Sequence, residues 1–322
     1  MIVDCHAHWY WEEELAELAR HCTALRLGRA PDGARLVLWQ GSVASHIPRW
    51  ADDLADRLRL MDRLGIDVQV LSYGALDVNW GGEAAPVLAR RVNERLAAVC
   101  QARPDRFRFL AALPLLDPTT LRHELEHALA LGAVGVAVTT TVGGRPLDAP
   151  EYRHFWREVS IRRLPVAVHP CFPADGPRDD AGSFLLAGFP GETTRAAARL
   201  ILAGVLEECP GVPLIWSHVG GALPLLAARL DAGYRRFPRC PRPPSEYLAR
   251  CYYDTVCTHA PALECARATF GAGRLLFGTD EPHRLDAPHD ILATVRGRPW
   301  PAAEIAGTLG GTAEQLFIAP RD

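Results

Sequence analysis

The chain has 322 residues, 48% of them hydrophobic and 23% charged, with a formal net charge of −3. This is the make-up of a soluble globular protein with ample material for a core, and it gives no reason to expect nucleic acid or an anionic membrane as partner. No segment is apolar for the ~20 residues that a membrane span needs, and His6 and His8 interrupt the apolar start at once. Nine cysteines, an odd number without a CxxC pair, argue against a disulfide framework or zinc knuckle and point to a reducing cytoplasm.

In chain order, short apolar runs rich in β-branched residues predict strands at Ile2–Asp4, Val68–Ser72, Phe107–Leu113, Val134–Val138, Val166–His169, Leu214–His218, Tyr252–Val256 and Leu275–Gly278. Amphipathic stretches between them predict helices over Asp52–Leu64, Ala84–Ala102, Thr119–Leu131, Glu151–Arg163, Thr193–Cys209, Leu223–Phe237 and Ala260–Phe270. Eight βα units predict an α/β fold, a (β/α)8 TIM-type barrel in one domain over residues 1–322, with a doubly wound open sheet as the alternative. Trp9–Trp50 is too long for a βα loop and is expected to fold as an insertion after strand 1, over the barrel mouth. Pro170–Gly191, rich in Pro, Gly and Asp, reads as a second long loop, and the Pro/Arg run Pro238–Pro244 as an exposed connector.

The carboxyl ends of barrel strands converge on one face, where active sites sit. His6 and His8 stand one residue apart at the end of strand one, so alternation would aim both the same way, as a chelate for a divalent metal. Strand five ends in His169, strand six in His218, and strand eight runs out into Asp280. Taken singly, each is as readily a structural histidine or a turn aspartate. Their coincidence at one end of four strands argues for a site.

These residues lie in Asp4-Cys-His-Ala-His8, Met61-Asp-Arg-Leu-Gly65, Val168-His-Pro170, Ser217-His-Val-Gly-Gly-Ala222 and Phe277-Gly-Thr-Asp-Glu-Pro-His283. Together the motifs resemble the amidohydrolase superfamily, in the branch that contains aminocarboxymuconate semialdehyde decarboxylase. The resemblance implies that His6, His8, His169 and Asp280 bind one divalent metal, zinc by preference with manganese as the alternative, and that no organic cofactor is needed. It assigns His218 to acid/base work without ligation. The strand-four end, Thr139-Thr-Thr141, offers no lysine for a bridging carbamate, which argues against a binuclear site.

The resemblance also implies a homodimer in which Arg229 grips a substrate carboxylate across the interface. The branch's other arginine has no counterpart in Ser42–Pro48, where His46 and Arg49 stand near as candidate substrate contacts. That departure turns the expected substrate away from a muconate semialdehyde toward another carboxylated ring. Arg57, on an amphipathic helix, is read as structural, and Trp80, Phe172 and Phe184 as candidate pocket walls. The leading expectation is non-oxidative decarboxylation of a small aromatic or unsaturated carboxylic acid, with His218 and Asp280 catalytic. The alternatives are hydrolysis of a lactone, amide or related bond, hydration on the same site, and a metal-binding scaffold without activity.

Overall fold

Alternating β-branched runs and amphipathic helices fold as the βα rhythm predicts, and the strands pair in parallel around a barrel. The computed structural model describes residues 1–74, 76–172, 182–283, 285 and 287–319. In chain order the strands are β1 (Val3–His8), β2 (Leu25–Arg29), β3 (Arg35–Trp39), β4 (Ser42–Ile47), β5 (Val68–Ser72), β6 (Phe107–Ala111), β7 (Gly135–Thr139), β8 (Thr141–Val142), β9 (Arg145–Pro146), β10 (Val166–His169), β11 (Leu214–Trp216), β12 (Tyr252–Asp254) and β13 (Leu275–Leu276). Eight of them, β1-β5-β6-β7-β10-β11-β12-β13, form the barrel sheet in that spatial order.

Backbone bonds close the ring between its first and last strands: Cys5 N–H donates to Phe277 O at 2.8 Å and Asp280 N–H to His6 O at 2.8 Å. The Asp4 carboxylate, wholly buried, reinforces that seam by accepting from Thr279 Oγ1 at 2.6 Å and from Gln69 Nε2 at 2.8 Å. Inside the barrel, Val3, Cys5, Val68, Val70, Leu110, Ile215 and Leu276 pack together, and Ala313 and Phe317 of the terminal helix Thr312–Phe317 join them. The outward strand faces and the helices build the larger core, in which Trp156, Trp216, Phe107 and Phe109 are buried.

The pairing of β1 with β5 shifts register between Asp4 and Ala7. Such a bulge changes the parity of the strand and re-aims its side chains. Val3 and Cys5 therefore face the barrel interior and His6 and His8 face the mouth, while Ala7 packs in the outer core. Simple alternation would have put Cys5 and His6 on opposite faces.

Between β1 and the helix Leu54–Leu64 the chain forms a helix, Glu12–His21, and an antiparallel sheet, β2-β3-β4. Arg57, on the helix Leu54–Leu64, ties this segment down from below. Its buried guanidinium donates to His8 O at 2.9 Å and Ala51 O at 3.2 Å and stacks over Trp9 and Trp50. Four strands end sooner than predicted, at Ala111, Trp216, Asp254 and Leu276, and two of these shortfalls leave His218 and Asp280 beyond the ladder. The predicted helix Thr193–Cys209 is two helices, Phe189–Leu202 and Val205–Glu208. Residues 173–181 of the predicted loop Pro170–Gly191 lie outside the described residues.

Candidate metal centre and cavity

Four ligand atoms, one each from His6, His8, His169 and Asp280, lie within 4.8 Å of one another at the barrel mouth, and all four residues are buried. Each imidazole is oriented by its Nδ1. His6 Nδ1 donates to Asp254 Oδ2 at 2.6 Å, His169 Nδ1 to Pro170 O at 2.7 Å, and His8 Nδ1 pairs with Ser72 Oγ at 2.9 Å. The three Nε2 atoms are thereby turned on one point, at 3.2 Å, 2.9 Å and 3.6 Å from Asp280 Oδ1 for His6, His8 and His169. An outer ring of this kind sets tautomer and ring orientation in metal sites.

The electrostatics fit a cation. Burial keeps His8 far below the usual imidazole range and His169 down at about 4, so both present neutral lone pairs. Burial opposes a charge on His6 too, but the Asp280 and Asp254 carboxylates outweigh it and hold its proton up to about 10. Burial would likewise raise Asp280, yet His6 and the surrounding imidazoles keep it well below the carboxylate range. Two buried carboxylates thus demand positive charge at this point. His169 Nε2 is buried and has no hydrogen-bond partner. Three imidazoles and one carboxylate suit a single first-row divalent metal. The chain contains no lysine, which removes the carbamate bridge of a binuclear site.

Two glycines make room. A Cβ at Gly278 would lie 2.8 Å from His6 Cβ and 3.2 Å from Asp254 Cβ. Gly74, at φ +74°, leaves space that a Cβ would take from Tyr10 Oη and, at 2.6 Å, from His8 Nδ1. By contrast Asp280 (φ +59°) and His218 (φ +54°) hold left-handed backbone although neither is glycine. Such conformations cost about 1–3 kcal/mol each and persist where surrounding contacts over-determine them. His218 Nε2 stands 3.5 Å from Asp280 Oδ2, and its Nδ1 is buried without a hydrogen-bond partner.

A cavity of about 380 Å³ opens above this cluster, with His169, His218, Asp280 and His283 at its floor. Val43, Leu185, Leu186, Phe189, Val256 and Leu285 give it an apolar wall, and Ala44, Ser45 and His46 of β4 a further side. His46 lines the cavity, with its Nε2 3.3 Å from Asp32 Oδ2. Arg49 is exposed and lies along Gly33 at the hairpin turn, outside the lining. Arg229 is exposed on the helix Leu223–Gly233 and does not reach the cavity of its own chain. Phe172 and Trp80 line a small void behind it, and Phe184 packs on Phe172 at 5.1 Å; among the described residues Phe189 is the phenylalanine of the cavity wall.

Asp254, Ser72, Ser45 and His283 escaped the sequence reading. Asp254 had a usable signal, since it ends the seventh barrel strand on the face that carries the site. Ser72 shares that signal as the last residue of the second barrel strand, and His283 closes the motif Phe277–His283; Ser45 had none, because its partner lies far away in the chain.

A (β/α)8 barrel with three histidines and an aspartate gathered at the strand ends is the architecture of a metal-assisted barrel enzyme. The amidohydrolase family model matches residues 3–318, and the chain belongs to that family. It is 36% identical over 252 residues to the gamma-resorcylate decarboxylase of Rhizobium sp. (strain MTP-10005), covering 71% of this chain and 77% of the relative. It is 30% identical over 302 residues to the 6-methylsalicylic acid decarboxylase of Penicillium expansum, covering 90% and 86%. The dihydroxybenzoic acid decarboxylase of Polaromonas sp. JS666, solved with manganese and the inhibitor 2-nitroresorcinol, superposes with a TM-score of 0.78 at 26% identity, covering 100% of this chain and 98% of that one.

Proposed function

We propose that the protein is a metal-dependent, non-oxidative decarboxylase of a small aromatic carboxylic acid. The observation that carries this reading is the His6, His8, His169 and Asp280 cluster at the floor of a cavity whose other walls are mainly apolar, in a chain similar to a gamma-resorcylate and a 6-methylsalicylic acid decarboxylase. Hydrolysis, the alternative expected from the sequence, is not favoured by those relatives.

His6, His8, His169 and Asp280 would hold the metal. Bound there, a divalent cation would anchor the carboxylate and the oxygen beside it, and stabilise the electron density that builds as the carbon–carbon bond breaks. The apolar wall of Leu186, Phe189 and Val256 would seat the ring and keep water from its face. His218 would protonate the ring carbon that loses carbon dioxide: the electron pair of the broken bond stays on that carbon and takes the proton. Nε2 is the nitrogen on the cavity side, because Nδ1 is closed off. The donor set favours zinc, and manganese in the Polaromonas relative makes that ion the competitor.

In this reading Arg229, on a helix that also exposes Leu225, would serve the cavity of a second copy in a homodimer. Nine free thiols fit a reducing, cytoplasmic setting, and among the described residues no helix is long and apolar enough to cross a membrane. The test is to incubate zinc- and manganese-loaded protein with a panel of hydroxylated benzoic acids and follow carbon dioxide and product by mass spectrometry. Release of carbon dioxide with gain of a ring proton is expected. Cleavage of lactones or amides with no decarboxylation across the panel would overturn the reading. Mixing Arg229→Ala with His218→Ala subunits should restore activity if the arginine works across the interface.

A further inference from the structure

Between the metal-capable cluster and the apolar wall stands an uncharged polar feature to which decarboxylation itself assigns no task. Ser45 Oγ lies 2.8 Å from His283 Nδ1, and His283 Nε2 lies 2.9 Å from Tyr10 Oη. The three residues come from β4 of the insertion, from the turn beyond the eighth barrel strand, and from the exit of β1. The His283 backbone N–H donates to Asp280 O at 2.9 Å, and its ring centroid is 5.1 Å from that of His8. Ser45 is only 6% exposed and Tyr10 fully buried, so the chain of groups lies almost wholly out of solvent. Ser45 and His283 line the same cavity as His218 and Asp280.

A neutral imidazole has one donor and one acceptor, and both are engaged by hydroxyls here. The Ser45 hydroxyl can turn to complete either tautomer. Accepting from Nδ1–H, it directs its own proton into the cavity; donating to Nδ1, it offers a lone pair instead. It can therefore answer a neutral donor or acceptor on a ligand, but brings no positive charge to a second carboxylate. Among the described residues the cavity lining contains no lysine or arginine.

We propose that Ser45, held by His283 and through it by Tyr10, is the specificity-determining contact of the cavity and hydrogen-bonds a hydroxyl on the substrate ring. The substrate class is then a ring monocarboxylate with a hydroxyl on the edge that faces β4. This rests on the decarboxylase reading only for the substrate's being a ring acid. A site built to bond a hydroxyl leaves a buried polar group unpaired when the ligand lacks it, which sets the discrimination.

The test uses two ligands that cannot be decarboxylated, 2-nitroresorcinol and 2-nitrophenol, which differ by one hydroxyl. Each is titrated spectrophotometrically into metal-loaded wild type, Ser45→Ala and Ser45→Thr. Wild type should bind 2-nitroresorcinol about 10-fold more tightly, well beyond the statistical factor of ~2 for two equivalent hydroxyls. Ser45→Ala should bring the preference down to that statistical factor, and Ser45→Thr should restore part of it. Equal binding by wild type, or a preference that Ser45→Ala leaves intact, would overturn the proposal. Should Ser45→Ala fail to fold, the wild-type pair and Ser45→Thr still decide. Because the titration needs no turnover, a protein that binds with this preference but releases no carbon dioxide would refute the decarboxylase reading and leave the Ser45 contact standing.

Discussion

Asp254→Asn keeps the shape of a buried side chain and removes the charge that holds His6. In the native protein Asp254 Oδ2 accepts from His6 Nδ1 at 2.6 Å, while Oδ1 accepts from the Val256 N–H at 3.0 Å and the Val219 N–H at 3.4 Å. An asparagine has one oxygen for these two demands. If it faces His6, the amide nitrogen is driven against two backbone donors. If it faces the backbone, the amide donates to Nδ1 and the ring proton moves to Nε2, the atom aimed at the ligand cluster. Either arrangement leaves about one buried polar group mismatched, at ~1–3 kcal/mol. At about 1.4 kcal/mol per decade this is roughly 5- to 150-fold. Metal affinity should therefore fall by about 10- to 100-fold, the range typical of outer-ring carboxylates. Competition between stripped protein and a chromophoric chelator measures it, with circular dichroism as the check on folding. A folded variant that binds metal within about twofold of wild type would refute the argument that Asp254 sets the tautomer and aim of His6.

Further outcomes follow from neighbouring parts of the site. His218→Gln should retain stoichiometric metal by elemental analysis and lose about 10²- to 10⁴-fold in turnover, whereas His6→Ala and Asp280→Ala should lose the metal itself; equal metal loss in His218→Gln would assign that residue to ligation. Arg57→Met strands the carbonyls of His8 and Ala51 and should cost about 2–5 kcal/mol, read as a lowered denaturant midpoint at unchanged slope. The proton on His6, raised from 6.5 to about 10 by its two carboxylates, stabilises the metal-free fold below that window and is lost as pH rises through it. Metal-free protein should accordingly melt at lower temperature as pH climbs toward 10, and metal-loaded protein should not follow; identical pH profiles for both forms would remove His6 from the account.

Legibility differed from residue to residue for definite reasons. His6, His8, His169 and Asp280 could be found because each follows an apolar run, and the ends of barrel strands share one face. Arg57 was legible as structural from its helix, though not its hold on the His8 carbonyl. Asp254 closes Tyr252-Tyr-Asp254 in plain sight, but its partner lies 248 residues away, and sequence alone gives an acidic residue no such partner. Position alone points to Arg49 and Arg229, and both are exposed in the structure. The segment β2-β3-β4 carries Asp32-Gly33, a turn signal, but the unbroken apolar run Leu36-Val-Leu-Trp39 does not reveal which face of the sheet is buried.

By itself the sequence determined the barrel and brought out His6, His8, His169, His218 and Asp280 at its strand ends, because periodicity and strand-end position are local properties of a chain. The aim of those residues was decided elsewhere. A bulge between Asp4 and Ala7 turned His6 and His8 to the mouth, and left-handed backbone at His218 and Asp280 brought two side chains beyond the ladder back over the site. The cavity belongs wholly to tertiary structure. Ser45, His283 and Tyr10 meet only once β4 packs against the turn at His283, and a hydrogen-bond chain drawn from three distant segments leaves no pattern of its own in the sequence.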